Sequence, residues 1–325
     1  IPPYDWPQHS GLVWRDQGVD VVNAALPAGL SLAGYALLAG RLVQAVLAWQ
    51  SDVVHVFKPK GPGGLAALWL LGMGCGVIPP LRAPVVVDAD DFEAGWNDIL
   101  DYPPLWGRFF EWQERTLLRC ADAVTVASRW LGDFTAALGQ PRRFYLPNGV
   151  EFSHSQDATP SHSNATQSEA RATRRVLLYS RFVEHGPDDV WRVWQRVLAA
   201  EPDAQLLVAG KGRKGEEHRL AQLAAQGGAG PSVQVLGWLP ASARPGLFAA
   251  ADAALLPVQD TPLNRAKSPM RLLDLLAAGV PVATQRVGEY GELVVDGVTG
   301  LLAEPGDAAG LAGKVVRLMR SPQLR

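Results

Sequence analysis

Short runs of β-branched and other apolar residues recur along this chain, each followed by a stretch long enough to form a helix. Such a continuous apolar run is typical of a strand that is buried on both faces. In the first part of the chain the runs lie at residues 19–22, 51–57, 83–90 and 121–128. Strands joined through intervening helices pair in parallel. The pattern predicts a parallel sheet covered by helices, whose first strand we expect to precede Ile1.

The same alternation starts again after a polar segment. Residues 153–173 are rich in Ser, Thr and Ala and have no apolar periodicity, which is typical of a linker. Beyond it lie predicted strands at 174–180, 204–210, 232–239, 252–258 and 280–284, and predicted helices at 188–202, 216–226, 242–251 and 269–278. The pattern predicts an α/β protein of two Rossmann-like, doubly wound parallel-sheet domains, residues 1–152 and 174–325.

Composition and charge exclude several classes of protein. Hydrophobic residues make up 48% of the 325 residues, which is enough for two large cores. The net charge of −2 shows no basic excess of the kind that binds nucleic acid. The two cysteines have no metal-site or disulfide spacing, which favours a reducing, cytoplasmic compartment. The apolar stretches 31–50 and 61–81 lack the features of a signal peptide, and we interpret both as core helices.

The predicted helix 269–278 carries charges that a core helix would not need. We expect Ser268 to cap its start. Lys267, Arg271 and Asp274 recur at steps of three and four residues and so share one stripe of the helix. Free backbone N–H groups, the helix dipole and two cations predict a diphosphate site at the start of this helix. Asp274 is expected to accept hydrogen bonds from hydroxyls beside the diphosphate. A diphosphate next to a diol describes a nucleotide sugar. A plain surface pair between Arg271 and Asp274 is the alternative interpretation.

An ordered set of motifs runs through most of the chain and is densest in its second half. The motifs are "YLPNGV" (145–150), "LLYSRFVEHGP" (177–187), "AQLLVAGKG" (204–212), "VQVLGWLP" (233–240), "KSPMRLLDLLAAGVPVAT" (267–284) and "VGEYGELVVDGVTGLL" (287–302). In this order they resemble the group 1 (family 4) glycosyltransferases of GT-B fold. The resemblance implies two Rossmann-like domains facing a cleft, with a nucleotide sugar held mainly by the C-terminal domain and the acceptor by the N-terminal one. It also implies sugar transfer with retention of configuration, without a metal or other cofactor.

The resemblance assigns donor-binding residues. Arg181, at a strand end, matches the family arginine that binds the donor diphosphate, and Asp274 stands where a family glutamate binds the ribose. Gly210 and Lys211 are expected near the nucleotide, and Leu239 beside the base. The segment Ser268, Pro269, Met270, Arg271 and Leu272 is expected to present N–H groups to phosphate. Lys267 and Glu292 complete the predicted donor-binding set. Arg181, Lys267 and the helix start are expected to stabilise the charge that develops on the leaving diphosphate.

The chain departs from the family pattern at two positions. Ala266 stands where the family has an acid that contacts the donor sugar, and Gly186 where it has a lysine. Lys267 and His185 are the candidates to replace the missing charge. Two other functions therefore stay open: a non-catalytic protein that binds a nucleotide sugar, and a sugar-nucleotide epimerase of GT-B form.

Charged side chains also follow the predicted strands of the first domain. Asp88 and Asp90 form a D-x-D motif, which binds a metal in transferases of GT-A fold. The second parallel sheet argues against that fold, so we predict no metal and expect Asp90 to position the acceptor hydroxyl. Asp88, Glu93, His9 and Lys58 are expected on the acceptor side, with plain solvent-facing side chains as the alternative.

The aromatic-rich segment 95–119 bears on whether the protein contacts a membrane or a lipid-linked acceptor. Packing on its own domain is the favoured interpretation, and docking on a membrane or a lipid-linked acceptor is the alternative. The expected partners are a nucleotide sugar and a saccharide or lipid-linked acceptor, in the cytoplasm or at the inner face of the membrane, with no nucleic acid.

Overall fold

The computed structural model describes residues 7–27, 31–72, 83–97, 99–150 and 173–324. The chain forms two compact units, Ile1–Pro147 and Asn148–Arg325, and each contains its own parallel sheet. Of the predicted linker 153–173, all but Thr173 lies outside the described residues. The prediction of an α/β fold with parallel sheets in two domains is confirmed.

The first unit is built on a four-stranded parallel sheet in the order β3-β4-β5-β6. Its strands are β3 (Val54–Phe57), β4 (Val85–Ala89), β5 (Ala123–Val126) and β6 (Arg143–Tyr145). Its helices are α1 (Leu32–Trp49), α2 (Gly61–Leu70), α3 (Pro104–Cys120) and α4 (Arg129–Ala137), with short 3-10 turns at Pro7–His9 and Glu93–Trp96. Three of the predicted runs are therefore the first three strands of this sheet.

The predicted strand at 19–22 does not join that sheet, which corrects the sequence interpretation. Strands β1 (Val13–Asp16) and β2 (Val19–Val22) pair antiparallel with each other as a separate hairpin, and Val19 is 64% exposed. The linking residues Gln17 and Gly18 both have positive φ, 46° and 88°, as a tight two-residue hairpin turn requires. The turn therefore decides the pairing, whatever the apolar character of the run.

Helix α1 is apolar along most of its length and packs against α2. The hydroxyl of Ser31 caps its start by accepting the N–H of Gly34. Length and composition alone would allow α1 to cross a membrane, and 28% of it is buried. Its inner face carries Tyr35 and Leu38, whereas other apolar side chains such as that of Leu32 are exposed. The interpretation of 31–50 as a core helix is therefore correct for one face only.

The second unit is built on a six-stranded parallel sheet in the order β9-β8-β7-β10-β11-β12. Its strands are β7 (Arg175–Tyr179), β8 (Gln205–Ala209), β9 (Val233–Gly237), β10 (Ala253–Leu256), β11 (Val282–Gln285) and β12 (Gly300–Ala303). Its helices are α5 (Pro187–Ala200), α6 (Glu216–Gln226), α7 (Arg244–Ala250), α8 (Pro262–Ala266), α9 (Met270–Ala277), α10 (Glu289–Leu293) and α11 (Ala308–Arg320). Short 3-10 turns lie at Gly230–Ser232, Ala241–Ala243 and Pro322–Leu324. This is the strand order of a Rossmann fold, whose direction reverses between β7 and β10.

Apolar residues cover both faces of the six-stranded sheet. In β7, Val176 and Leu178 face a cluster formed with α5 and α11, whereas Leu177 faces a second cluster formed with α7 and α9. Successive side chains of a strand point to opposite faces, so a continuous apolar run is what two covered faces require. Trp194 is fully buried in the first cluster. With both faces covered, a ligand can approach the sheet at the strand ends.

Candidate active site

Three strand ends of the second unit are held together by a glycine. Gly210, which follows β8, has φ of +120° and donates its N–H to the carbonyl of Gly237 at the end of β9 over 2.7 Å. A Cβ at Gly210 would lie 1.8 Å from the carbonyl oxygen of Ser180, which follows β7. Only glycine fits this approach. The sequence predicted Gly210 near the nucleotide, and the structure places it at the carboxyl edge of the sheet.

Two exposed cations extend from these strand ends. Arg181 follows β7 and Lys211 follows β8. Within the part of the chain that the structure describes, neither side chain has an ion-pair partner. A cation without an internal partner is available to an anionic ligand. Both residues were predicted to bind the donor, and the structure brings them to one edge of the sheet.

Helix α9 begins one residue later than predicted. Its N-cap is Pro269, which has no side chain that can cap the first turn. The hydroxyl of Ser268 instead accepts the backbone N–H of Asn148 at 2.9 Å, and the amide of Asn148 donates to the carbonyl of Ser268 at 3.1 Å. The expectation that Ser268 caps the helix is therefore wrong. Within the described residues no side chain caps the first turn of α9, so its N–H groups are left for another acceptor, as an anion site requires.

A buried glutamate that the sequence analysis missed organises the start of this helix. Glu184 accepts a hydrogen bond from Lys267 Nζ at 2.8 Å and lies 3.4 Å from Arg271 Nη1. Its backbone carbonyl accepts the side-chain amide of Asn264 at 2.9 Å, which fixes the loop. Burial alone would raise the pKa of Glu184, but Lys267 and Arg271 outweigh it and lower the pKa to about 2. The loop after β7, which carries Arg181, is thus tied to the start of α9.

The charged stripe of α9 has different partners from those expected. Lys267 is 10% exposed and directed at Glu184, and its contact with a donor stays a prediction. The alternative pair between Arg271 and Asp274 does not form, because Arg271 meets Glu184 and Asp274 lies 3.9 Å from Arg244 of α7. The carboxylate of Asp274 remains partly exposed, and its ribose contact also stays a prediction.

His185 does not replace the missing family lysine. The ring is buried, with Nε2 3.0 Å from the hydroxyl of Ser180 and Nδ1 3.3 Å from the carbonyl of Gly186. Burial lowers the pKa of His185, so the ring is neutral near pH 7. The suggestion that His185 supplies a charge is therefore wrong. Ala266, the position of the missing family acid, is also fully buried.

The other predicted donor residues lie on neighbouring loops. Leu239 follows β9 and is half-buried beside the exposed side chain of Trp238. Glu292 is exposed on α10. The loop before α10 turns at Gly288, where a Cβ would lie 2.5 Å from the carbonyl oxygen of Arg265 in α8. The Gly-bearing motif of the sequence thus marks a close approach of two loops.

In the first unit three of the predicted residues, Lys58, Asp90 and Glu93, form one charged cluster. Lys58 Nζ lies 2.9 Å from Glu93 and 3.4 Å from Asp90. Burial opposes the charge of Lys58, but Glu93 and Asp90 outweigh it and raise the pKa of the ammonium. Lys60 donates to the carbonyl of Glu93 at 3.1 Å and lies 3.6 Å from its carboxylate. Burial raises the pKa of Asp90, whose Oδ1 is buried without a hydrogen-bond partner in the described residues.

Helix α3 supports this cluster from behind through residues that the sequence analysis did not single out. Glu114 accepts the N–H groups of Glu93 and Ala94 at 2.8 and 2.9 Å. Gln113 accepts the N–H of Gly61 at 3.1 Å. Burial raises the pKa of Glu114 to about 7. Gln113 and Glu114 are polar residues in the middle of an amphipathic helix, and this was the sequence signal that could have identified their supporting role. The segment 95–119 therefore packs on its own unit through its inner face, and membrane docking of the outer face stays untested.

The remaining acceptor-side residues are less connected. Asp88 accepts the hydroxyl of Thr125, and His9 ends a 3-10 turn with its carbonyl accepting the amide of Asn23. Asp88 and Asp90 thus have different partners. No group of three or more metal-ligating side chains occurs within the described residues. The expectation that transfer needs no metal stays a prediction.

Comparison with known proteins decides the family. Residues 173–321 match the model of glycosyl transferases group 1, and residues 2–149 match the model of the glycosyl transferase 4-like domain. Sucrose-phosphate synthase from Thermosynechococcus elongatus shares the fold with a TM-score of 0.70 at 17% identity, over 96% of this chain and 77% of that one. The chain belongs to the GT-B glycosyltransferases. The resemblance seen in the motifs is confirmed.

The curated relatives of this GT-B glycosyltransferase include two mannosyltransferases. A GDP-mannose-dependent monoacylated alpha-(1-6)-phosphatidylinositol monomannoside mannosyltransferase of Corynebacterium glutamicum is 32% identical over 62% of this chain and 54% of its own length. A phosphatidyl-myo-inositol mannosyltransferase of Mycobacterium leprae is 27% identical over 84% of this chain and 66% of its own length. The chain thus spans about half to two thirds of the length of these relatives.

Proposed function

We propose that this GT-B glycosyltransferase moves a sugar from a nucleoside-diphosphate donor to an acceptor hydroxyl with retention of configuration. The observation that carries the proposal is the carboxyl edge of the six-stranded sheet. There the exposed cations of Arg181 and Lys211 lie on strand-end loops, and Glu184 ties the Arg181 loop to the first turn of α9. Cations and free backbone N–H groups together suit a diphosphate.

The donor we propose is GDP-mannose. The support is the Corynebacterium glutamicum relative, whose name states dependence on GDP-mannose. In this proposal Asp274 accepts hydrogen bonds from the ribose, and Leu239 borders the base. The acceptor is a saccharide or a lipid-linked saccharide, and the reaction is cytoplasmic or takes place at the inner face of the membrane.

The proposed chemistry depends on positioning and electrostatics. Arg181, Lys211 and the N–H groups of α9 stabilise the negative charge that grows on the diphosphate as the glycosidic bond breaks. Lys267 adds positive potential from its buried position. The acceptor hydroxyl attacks from the face that the diphosphate leaves, and a phosphate oxygen takes its proton, so configuration is retained. Asp90, whose Oδ1 has no described partner, orients the acceptor hydroxyl.

A second candidate is a protein that binds the nucleotide sugar without turning it over. The observation that favours it is Ala266, a fully buried apolar residue at the position where the family acid contacts the donor sugar. Loss of that contact weakens the hold on the sugar while leaving the nucleotide contacts in place. Binding without turnover would identify this second candidate.

Incubation of the purified chain with radiolabelled GDP-mannose and a panel of saccharide and glycolipid acceptors tests the proposal. We expect labelled product and release of GDP, with an anomeric configuration in the product equal to that of the donor. Arg181→Ala should abolish most of the turnover. Tight GDP-mannose binding with neither GDP release nor product would support the second candidate, and conversion of the sugar without transfer would indicate an epimerase.

A further inference from the structure

A pocket of about 530 Å³ opens within the first unit, at the carboxyl ends of β3 and β4. It is bounded by α1, the loop that leads into α2, the turn after β4 and the start of α3. Ligands of parallel α/β sheets bind at this edge. The pocket lies wholly within one unit, so its geometry depends on that unit alone.

The walls of the pocket are mostly apolar. Tyr35 and Leu38 come from α1, and Trp106 and Phe110 come from α3. Their rings are mutually packed, with centroids of Tyr35 and Trp106 5.4 Å apart and those of Trp106 and Phe110 5.5 Å apart. A packed ring wall holds its shape, and apolar surface left open to water gains free energy when a hydrocarbon group covers it.

One end of the pocket is polar, and its charges are balanced. Lys58, which is 42% exposed, and Lys60, which is 9% exposed, both meet Glu93, and Lys58 also meets Asp90. The ammonium of Lys60 lies 4.9 Å from the ring centroid of Tyr102, which anchors it at the boundary with the apolar wall. Two ammonium groups against two carboxylates leave no excess charge to attract a strongly anionic ligand. Ammonium donors beside carboxylate acceptors match hydroxyl groups, which both donate and accept.

We infer that this pocket binds the acceptor, and that the acceptor is an amphiphile with a hydroxyl-bearing head attached to a hydrocarbon part. The head lies at Lys58 and Glu93, beside the unpartnered Oδ1 of Asp90, and the hydrocarbon part lies on the rings of α1 and α3. This inference deepens the proposed function and rests on it: the polar end presents the reacting hydroxyl, and the apolar walls select acceptors by their hydrocarbon part.

Alkyl β-D-glucopyranosides are the probe for this inference. Butyl, hexyl and octyl glucoside are titrated calorimetrically into the full chain, each below its micelle concentration. The affinity should rise from butyl to octyl by roughly ten- to two-hundredfold, the upper figure corresponding to full burial of the added methylenes at about 0.8 kcal/mol each. Octanol, which has the chain without the sugar, should bind at least about tenfold more weakly than octyl glucoside, through loss of the head-group hydrogen bonds.

Matched variants of α3 locate the binding. Trp106→Ala removes part of the wall and should abolish the dependence on chain length. Trp112→Ala removes an exposed ring of the same helix outside the pocket and should leave the dependence unchanged. Leu100→Trp fills the pocket without deleting a wall and should also abolish the dependence on chain length. This second variant keeps the inference testable if Trp106→Ala fails to fold.

The outcomes separate this inference from the proposed function. GDP binding is measured on every variant and should stay unchanged, because the donor residues lie in the second unit. A chain-length dependence that persists in folded Trp106→Ala and Leu100→Trp would overturn the inference. Loss of the dependence in Trp112→Ala would also overturn it, because the hydrocarbon would then lie on the outer face of α3. Equal affinities of octanol and octyl glucoside would overturn the assignment of the polar end. Failure of GDP binding in the wild-type chain would instead contradict the proposed function.

Discussion

Each unit of the molecule places two cations on one buried glutamate, and the charge around that glutamate differs between the units. In the second unit, Glu184 holds Lys267 and Arg271, and its pKa is lowered to about 2. Arg181, three positions earlier on the same loop, adds a cation without a described ion-pair partner. Positive charge therefore exceeds negative charge there, as a diphosphate site requires.

The first unit balances its charges. Glu93 holds Lys58 and Lys60, but Asp90 also meets Lys58, and Glu114 lies directly behind the backbone of Glu93. The ammonium groups of Lys58 and Lys60 are matched by the carboxylates of Glu93 and Asp90, and burial raises the pKa of both Asp90 and Glu114. We propose that the same arrangement of one glutamate and two cations serves two kinds of ligand: an anion where the cations are in excess, and a hydroxyl group where they are not.

Removal of the glutamate charge should affect the second unit most. Glu184→Gln leaves two largely buried cations without their carboxylate, and breaking such a buried pair costs about 3–5 kcal/mol of unfolding free energy. Glu93→Gln should cost less, because Asp90 still meets Lys58. Urea denaturation of both variants measures the difference. Glu304→Gln is the control: its pair with Arg286 is exposed and should contribute about 0–1 kcal/mol. A cost for Glu184→Gln no larger than that of the control would contradict the account of Glu184.

The two units should respond to pH in opposite directions. Glu114, with its pKa raised to about 7, keeps a proton in the folded state that the unfolded chain has lost above its ordinary pKa of 4.5. Stability should therefore fall as pH rises from about 4.5 to 7, by up to about 3 kcal/mol. Glu184, with its pKa lowered to about 2, contributes stability that is lost as pH falls from about 4.5 towards 2.

Denaturation curves at a series of pH values test this comparison. Glu114→Gln should flatten the decline between about pH 4.5 and 7, although the variant loses one of its two backbone hydrogen bonds and is less stable at low pH. An unchanged slope in Glu114→Gln would mean that this carboxyl does not retain its proton.

The proposed ribose contact of Asp274 predicts a smaller, local effect on GDP binding. Asp274→Ala should weaken GDP binding by roughly ten- to a hundredfold, since hydrogen bonds to a charged group are worth about 1.5–3 kcal/mol. Asp274→Asn keeps the shape and part of the hydrogen bonding and should lose less. If Asp274 serves only its 3.9 Å pair with Arg244, both variants should keep wild-type GDP affinity and lose about 0–1 kcal/mol of stability. Calorimetric titration of GDP into the two variants distinguishes these results.

Metal removal should have no effect at all. The proposed site neutralises the diphosphate with Arg181, Lys211 and backbone N–H groups, so transfer rates should be equal with chelator and with added magnesium or manganese. A rate that chelator abolishes and manganese restores would instead assign a metal to Asp88 and Asp90. Asp90→Asn then serves as the variant that should lose the metal response.

Most of the second unit could be predicted from sequence because its signals are local. Its strands are continuous apolar runs, and their parallel pairing follows from the βαβ pattern. The hairpin at 13–22 was missed because a two-residue turn with positive φ at Gln17 and Gly18 competes with the apolar signal of one short run.

The charged site was predicted only in part, because its pairings join residues far apart in sequence. The stripe of Lys267, Arg271 and Asp274 could be found by helical spacing. Glu184 could not, because it meets Lys267 across 83 positions of sequence. The predicted helix cap at Ser268 was wrong for the same reason. The hydroxyl of Ser268 accepts the N–H of Asn148, which lies 120 positions away in the sequence.

The central claim is that the carboxyl edge of the second sheet binds the donor diphosphate through Arg181. Calorimetric titration of GDP into the wild-type chain, Arg181→Ala and Arg196→Ala tests it most directly. Arg196 is an exposed arginine of α5 whose guanidinium donates to the carbonyl of Arg192, and its removal controls for a general loss of positive charge. We predict that Arg181→Ala weakens GDP binding by roughly ten- to a hundredfold while Arg196→Ala leaves it unchanged. Equal GDP affinity in the wild-type chain and in Arg181→Ala would contradict the account.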